Sequence, residues 1–124
     1  MKRYQTKAFA RWARKEGLED GSLARAALEI ERGLIDATLG KLLVKKRIGR
    51  AGGGKSGGYR TIVMFRTATR LIFLYGFPKS AKSNLSEREL EVYQSLARIF
   101  DGKTQAEIEA LCAKGELKEI VCNE

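Results

Sequence analysis

Histidine is absent from the 124 residues, which removes the one side chain whose unperturbed pKa lies near neutrality. Any acid–base chemistry falls to other groups. Cysteine is almost as scarce: Cys112 and Cys122 stand alone, with no CxxC pair beside them. A zinc site needs a fuller set of nitrogen and sulfur ligands, so no metal and no cofactor are expected. Spacing alone allows a disulfide between the two cysteines, whereas a reducing cytoplasm favours two free thiols. Long apolar runs are missing too. The longest, Leu71 to Phe77, is far too short to cross a bilayer, and the basic start Met-Lys-Arg-Tyr-Gln-Thr-Lys has no apolar stretch behind it to make a signal peptide. The expectation is a cytoplasmic protein with no membrane partner.

Negative charge is absent from one stretch in particular. Between Asp36 and Glu87 lie fifty residues without an aspartate or glutamate, and they hold eleven of the 24 basic side chains. The formal net charge of +9 therefore belongs to this window, and the remainder of the chain is slightly acidic. A positive field concentrated in one segment marks where a polyanion would sit.

What is present suits one globular domain spanning 1–124. The hydrophobic content of 44% is too high for a disordered chain and, at 31% charged, the sequence is too polar for a membrane protein. Thr6 can cap a first helix carrying Phe9, Trp12 and Ala13 on one face, with Gly17 ending it. Leu23, Ala26, Ala27 and Ile30 follow helical spacing and Gly33 closes a second helix. From Lys41 the period shortens toward two, with Leu42 and Val44 on one face and Leu43, Lys45 and Arg47 on the other. A glycine-rich segment from Arg50 to Gly58 leads to a second strand, Tyr59 to Phe65. After a turn at Thr67 to Thr69 comes a third, Leu71 to Tyr75. The latter two are apolar on both faces, implying cover on both sides.

Ser86 with Glu89 reads as a capping box, and Leu85 with Leu90 as a hydrophobic staple, so a third helix starts there. Thr104 with Glu107 repeats the box before a fourth. Leu117 to Cys122 alternates weakly, as a short edge strand would. The expected fold class is α+β: two N-terminal helices, a three-stranded antiparallel sheet extended by that edge strand to four, and C-terminal helices.

Three segments make the sequence more specific: Leu42 to Ile48, then Gly53-Gly54-Lys55-Ser56-Gly57-Gly58-Tyr59-Arg60, then Ile72 to Ser80 with Asn84-Leu85-Ser86. Together they resemble the toxins of the RelE/ParE superfamily, most closely the RelE/HigB-like branch. The resemblance implies a RelE-like fold and the toxin half of a type II toxin–antitoxin pair. RelE-like members cleave messenger RNA, usually on the ribosome, and are silenced by a cognate antitoxin; ParE-like members of the same fold poison DNA gyrase instead. Fold alone does not choose between them. A third reading is a nucleic-acid-binding or inactive toxin working in a repressor complex with its antitoxin.

RNA cleavage without a metal needs the 2′-hydroxyl deprotonated, the phosphorane charge stabilised and the leaving 5′-oxygen protonated. Arg60 suits the second task, because its planar, permanently charged fork can hold two phosphate oxygens. The resemblance places a functional arginine at this same Gly-Tyr-Arg position. It also points to Lys55 and to Lys79 with Lys82 as the remaining catalytic residues. Crowded like charges would lower a lysine pKa toward a value useful for proton transfer. Arg47 would share the phosphate, and Lys45, Lys46, Arg50, Tyr59 and Tyr75 would contact RNA. Tyr75 and Tyr59 also stand as candidate proton donors, since Lys79 is followed by Ser80 rather than by the arginine common in the family.

Simpler readings exist for each. Arg60 could be a structural arginine paired with a helix acid such as Glu89 or Glu91, and Lys45, Lys46 and Arg47 a solvated face or nonspecific RNA contacts. Phe9, Trp12, Phe65 and Phe73 read as core. The glycine-rich segment lacks Walker spacing and precedes a strand, so it is not a phosphate-binding P-loop.

Overall fold

Residues Lys2–Thr6 form a strand, β1, where the sequence analysis noted only a basic start. Its signal is small: two exposed or half-exposed basic residues precede Tyr4 and Gln5, both buried. The computed structural model describes residues 1–49, 58–82 and 84–121. After β1 come α1 (Lys7–Glu16), α2 (Asp20–Glu31), β2 (Ala37–Thr38), β3 (Leu43–Ile48), β4 (Tyr59–Arg66), β5 (Arg70–Pro78), α3 (Glu87–Asp101), α4 (Gln105–Ala113) and β6 (Leu117–Glu119).

The strands make one six-stranded sheet in the order β2-β3-β4-β5-β1-β6. The expected meander is there as antiparallel β3, β4 and β5. Two corrections apply to the expected layout. A strand precedes the helix pair, and the sheet is mixed, because β1 runs parallel to β5. β6 is the anticipated edge strand, pairing antiparallel with β1. The wall is thus wider than three or four strands, since β1 enters between β5 and β6 and β2 adds two residues to the far edge.

Local chemistry explains the helices. Thr6 accepts a hydrogen bond from the Phe9 backbone N–H at 3.1 Å, and Gly17 ends α1 in the left-handed region with φ of 79°. Both capping boxes form as their sequences suggest, Ser86 with Glu89 and Thr104 with Glu107. Leu85 and Leu90 of the staple pack against the same core cluster.

Helices cover the sheet on both sides, as the two-faced apolar strands required. On one face α1 and α2 bring Phe9, Ala13, Leu23, Ala27 and Ile30 onto Val44, Ile48, Val63, Leu71 and Phe73. On the other, Ala97, Phe100 and Ile108 from α3 and α4 meet Leu43, Ile62, Met64, Ile72 and Leu74. Each large apolar side chain buried this way contributes about 1.5–3 kcal/mol. Trp12 reaches the sheet because β5 has a glycine beneath it: a Cβ on Gly76 would lie 2.2 Å from the indole Cζ3. Cys112 is a free, half-buried thiol whose pKa burial pushes up, while Cys122 lies outside the described residues.

No helix among the described residues is long and apolar enough to cross a membrane.

Candidate functional site

The site begins with one irregularity in β5. Ile62 pairs with Tyr75 but Val63 pairs with Phe73, so Leu74 is an extra residue in β5. A bulge of this kind shifts the alternation by one and re-aims the side chains beyond it. Leu71 and Phe73 point to the α1 face, and strict alternation would send Tyr75 and Phe77 there too. With the bulge they join Ile72 and Leu74 on the α3 face.

Register then assembles the cluster. Lys45 lies opposite Ile62, which lies opposite Tyr75; Arg47 lies opposite Arg60, which lies opposite Phe77. Cross-strand partners share a face, so Lys45, Arg47, Arg60, Tyr75 and Phe77 form two adjacent rows beside the start of α3. Arg47 and Arg60 are like charges placed directly across from each other, an arrangement that disfavours itself by a few tenths of a kcal/mol or more unless an anion lies between.

Arg60 is held yet incompletely used. Its side chain is only 14% exposed, its Nη1 lies 3.6 Å from Asp36 Oδ2, and its Nε is buried with no hydrogen-bond acceptor among the described residues. The acid it meets comes from the residue before β2, rather than from Glu89 or Glu91 on α3. A buried donor left unmatched costs about 1–3 kcal/mol.

On the β5 side of the cluster, Lys82 places its Nζ against the Glu89 carboxylate and 5.1 Å from the ring centres of both Tyr75 and Phe77. The Tyr75 hydroxyl donates to Glu89 Oε2 at 3.2 Å, and its ring stacks on Tyr93 with centroids 4.9 Å apart. Lys45 Nζ donates to Asn84 Oδ1 at 2.9 Å. These contacts reverse one expectation. Lys82 is raised above the ordinary lysine value, because Glu89 and then Tyr75 hydrogen-bond to its charged form, so it is not the lowered lysine that like-charge crowding would make. Glu89 is lowered to about 2, first by Lys82 and then by the Ser86 backbone N–H.

That shift sets a pH dependence. The folded pKa of Glu89 lies below its ordinary value of 4.5, so its contribution to stability is complete above that value and is lost as pH falls toward about 2. Acid unfolding followed by circular dichroism should show a steeper loss over this window in the wild type than in Glu89→Gln. Parallel curves would mean that the carboxylate carries no such linkage.

The other candidates divide. Lys79 is exposed just past the end of β5 and its backbone N–H bonds to Gly58 O at 3.1 Å, so it borders the cluster. Lys55 and Arg50 lie outside the described residues. Lys46 and Tyr59, grouped by the sequence with the RNA contacts, sit on the opposite face of the sheet from Arg60. Lys46 is buried, bonded to Leu34 O at 2.8 Å and paired with Glu29 at 2.9 Å; Tyr59 is buried edge-on to Trp12 and donates to Glu16 O at 3.3 Å. Two further basic residues of the window serve α3: Arg66 pairs with Asp101 and Arg70 donates to the carbonyls of Phe100 and Lys103.

Sequence reasoning missed Asp36, Asn84 and Tyr93 as neighbours of the cluster. The spacing of Glu89 and Tyr93, one helical turn apart on α3, carried a signal for the last of these. A groove of about 770 Å³ opens elsewhere, among Ile35, Leu39, Leu42, Phe65, Arg66 and Gln94. It contains none of Arg60, Tyr75 or Lys82.

Against known proteins, residues 1–120 match the family model described as the RelE toxin of the RelE/RelB toxin–antitoxin system. No match was found among curated proteins.

Proposed function

The chain belongs to the RelE toxin family, and from that premise we propose that it is a metal-independent endoribonuclease that cuts messenger RNA on the ribosome and so blocks translation. Membership makes it the toxin of a toxin–antitoxin pair, with a cognate antitoxin as partner. The observation that carries the finer reading is Arg60: a nearly buried guanidinium whose Nε is unmatched among the described residues, opposite a second arginine on one side and Phe77 on the other. RNA recognition pairs basic groups with aromatics in this way.

In the proposed reaction the 2′-oxygen attacks the adjacent phosphorus, its proton passes to a base, and the bond from phosphorus to the 5′-oxygen breaks as that oxygen gains a proton. The products are a 2′,3′-cyclic phosphate and a 5′-hydroxyl. Arg60, with Arg47, holds the phosphate oxygens and stabilises the charge that builds on them. Lys82, whose ammonium form is favoured, suits electrostatic stabilisation of the charge on the leaving oxygen. The base is then to be sought in Lys79 or Lys55. Tyr75 offers its ring to a nucleobase or its hydroxyl to the phosphate. Lys45 and Arg47 hold the strand, and the antitoxin would cover this face with acidic or apolar groups.

The test is direct. Purified protein is incubated with messenger RNA, either on programmed ribosomes in magnesium buffer or free in excess EDTA, and the new ends are mapped. Cuts that leave 5′-hydroxyl ends are expected; intact RNA in every arm would overturn the proposal. Gyrase inhibition with intact RNA would instead favour the ParE-like reading.

A further inference from the structure

Glu89 does two separable jobs with its two carboxylate oxygens. Oε1 accepts from the Ser86 backbone N–H at 2.9 Å and closes the capping box. Oε2 faces the sheet, where the Lys82 ammonium and the Tyr75 hydroxyl converge on it. One oxygen with an ammonium and a phenol aimed at it, walled by Tyr75 and Phe77, has the surroundings that a non-bridging phosphate oxygen requires. Lys45, Arg47 and Arg60 share this face, so the cradle lies in a field that favours anions.

We propose that Lys82, Tyr75 and Phe77 form a phosphate subsite that the chain's own Glu89 carboxylate fills when no RNA is bound, and that an RNA backbone phosphate enters by displacing it. The proposal rests on the reading that this face binds RNA. The exchange is sterically open, because the Lys82 and Glu89 side chains keep 31% and 29% of their surface in solvent. It leaves the helix start intact, since the capping bond to Ser86 uses the other oxygen. Glu89 thereby sets a threshold: weak or passing anions fail to dislodge a tethered carboxylate, and a polyanion already gripped by Arg47 and Arg60 succeeds.

Glu89→Gln isolates the charge, because glutamine also serves in a capping box. The probe is a short, uncleavable 2′-O-methyl oligoribonucleotide, with binding read by fluorescence anisotropy. Glu89→Gln should bind about tenfold more tightly than the wild type, the value of one charged hydrogen bond. The gain should vanish in the Glu89→Gln, Lys82→Gln double variant. Glu91→Gln, which removes the same charge from an exposed position on α3, should gain far less. Where the wild type binds the oligonucleotide, unchanged or weaker binding by a folded Glu89→Gln, a gain that survives loss of Lys82, or an equal gain in Glu91→Gln would each overturn the proposal. A second arm separates it from the RNA reading: the rise in melting temperature with inorganic phosphate, against chloride at equal ionic strength. If no form binds the oligonucleotide yet phosphate stabilises Glu89→Gln more than the wild type, the subsite stands and the RNA reading falls. If phosphate also shows no preference, both fall.

Discussion

Arg60→Ala should lower the rate of RNA cleavage by about 10²–10³-fold, the usual consequence of removing one preorganised donor to a developing oxyanion. The fold should survive. Among the described residues Arg60 has a single ion pair, to Asp36 at 3.6 Å, and Asp36 keeps 32% of its side chain in solvent, so its carboxylate can rehydrate when the partner is lost. Removing the unmatched Nε even relieves a buried polar group. Arg60→Lys should fall between the two, because an ammonium keeps the charge and loses the planar fork. Single-turnover cleavage, with circular dichroism to verify folding, checks all three proteins. A folded Arg60→Ala enzyme within about threefold of wild type would remove Arg60 from the chemistry.

The largest expected effect on stability lies on the opposite face. A methyl group on Gly76 would stand 2.2, 2.5 and 2.7 Å from three carbons of the Trp12 ring, far inside van der Waals contact. The indole has little room to retreat, since it packs against Phe9 and meets Tyr59 edge-on, each with centroids 5.4 Å apart. Gly76→Ala should therefore cost about 2–3 kcal/mol, in the range of an overpacked core. Urea unfolding reads this as a lower midpoint at similar slope. Trp12→Leu alone should also destabilise, but adding it to Gly76→Ala should recover part of the loss, so the two substitutions will not add. A loss below about 0.5 kcal/mol in Gly76→Ala would show that the ring yields without cost.

Much of this fold was written locally. Thr6, Ser86 and Thr104 each announce a helix start, and each caps through its own hydroxyl. β3, β4 and β5 follow from their alternation and apolar content. β1 was not legible, because five residues with one aromatic carry too little pattern, and what makes them a strand is the parallel partner β5 on one side and β6 on the other. The bulge at Leu74 was equally hidden. It leaves no mark in a run of apolar residues, yet it decides which face Tyr75 and Phe77 join.

The site was legible in charge and not in pairing. The acid-free window is acid-free only along the chain: Glu29, Asp36, Glu89 and Asp101 reach into it from flanking elements to meet Lys46, Arg60, Lys82 and Arg66. Strand parity, readable in principle, separates Lys46 from Lys45 and Arg47, and Tyr59 from Arg60. Grouping them by composition overlooked that alternation. Glu89 was seen as a cap and as a candidate partner of Arg60, but its second oxygen turns instead to Lys82 and Tyr75.

The central claim is that this basic, aromatic face cuts messenger RNA. The measurement that tests it most directly is induction of the protein in growing cells, without its antitoxin, followed by genome-wide mapping of messenger RNA 5′ ends and measurement of translation. The account predicts arrested translation and new ends within reading frames, both absent when Arg60→Ala is induced to the same level. Normal translation with no new ends, or ends that persist unchanged in Arg60→Ala, would contradict it.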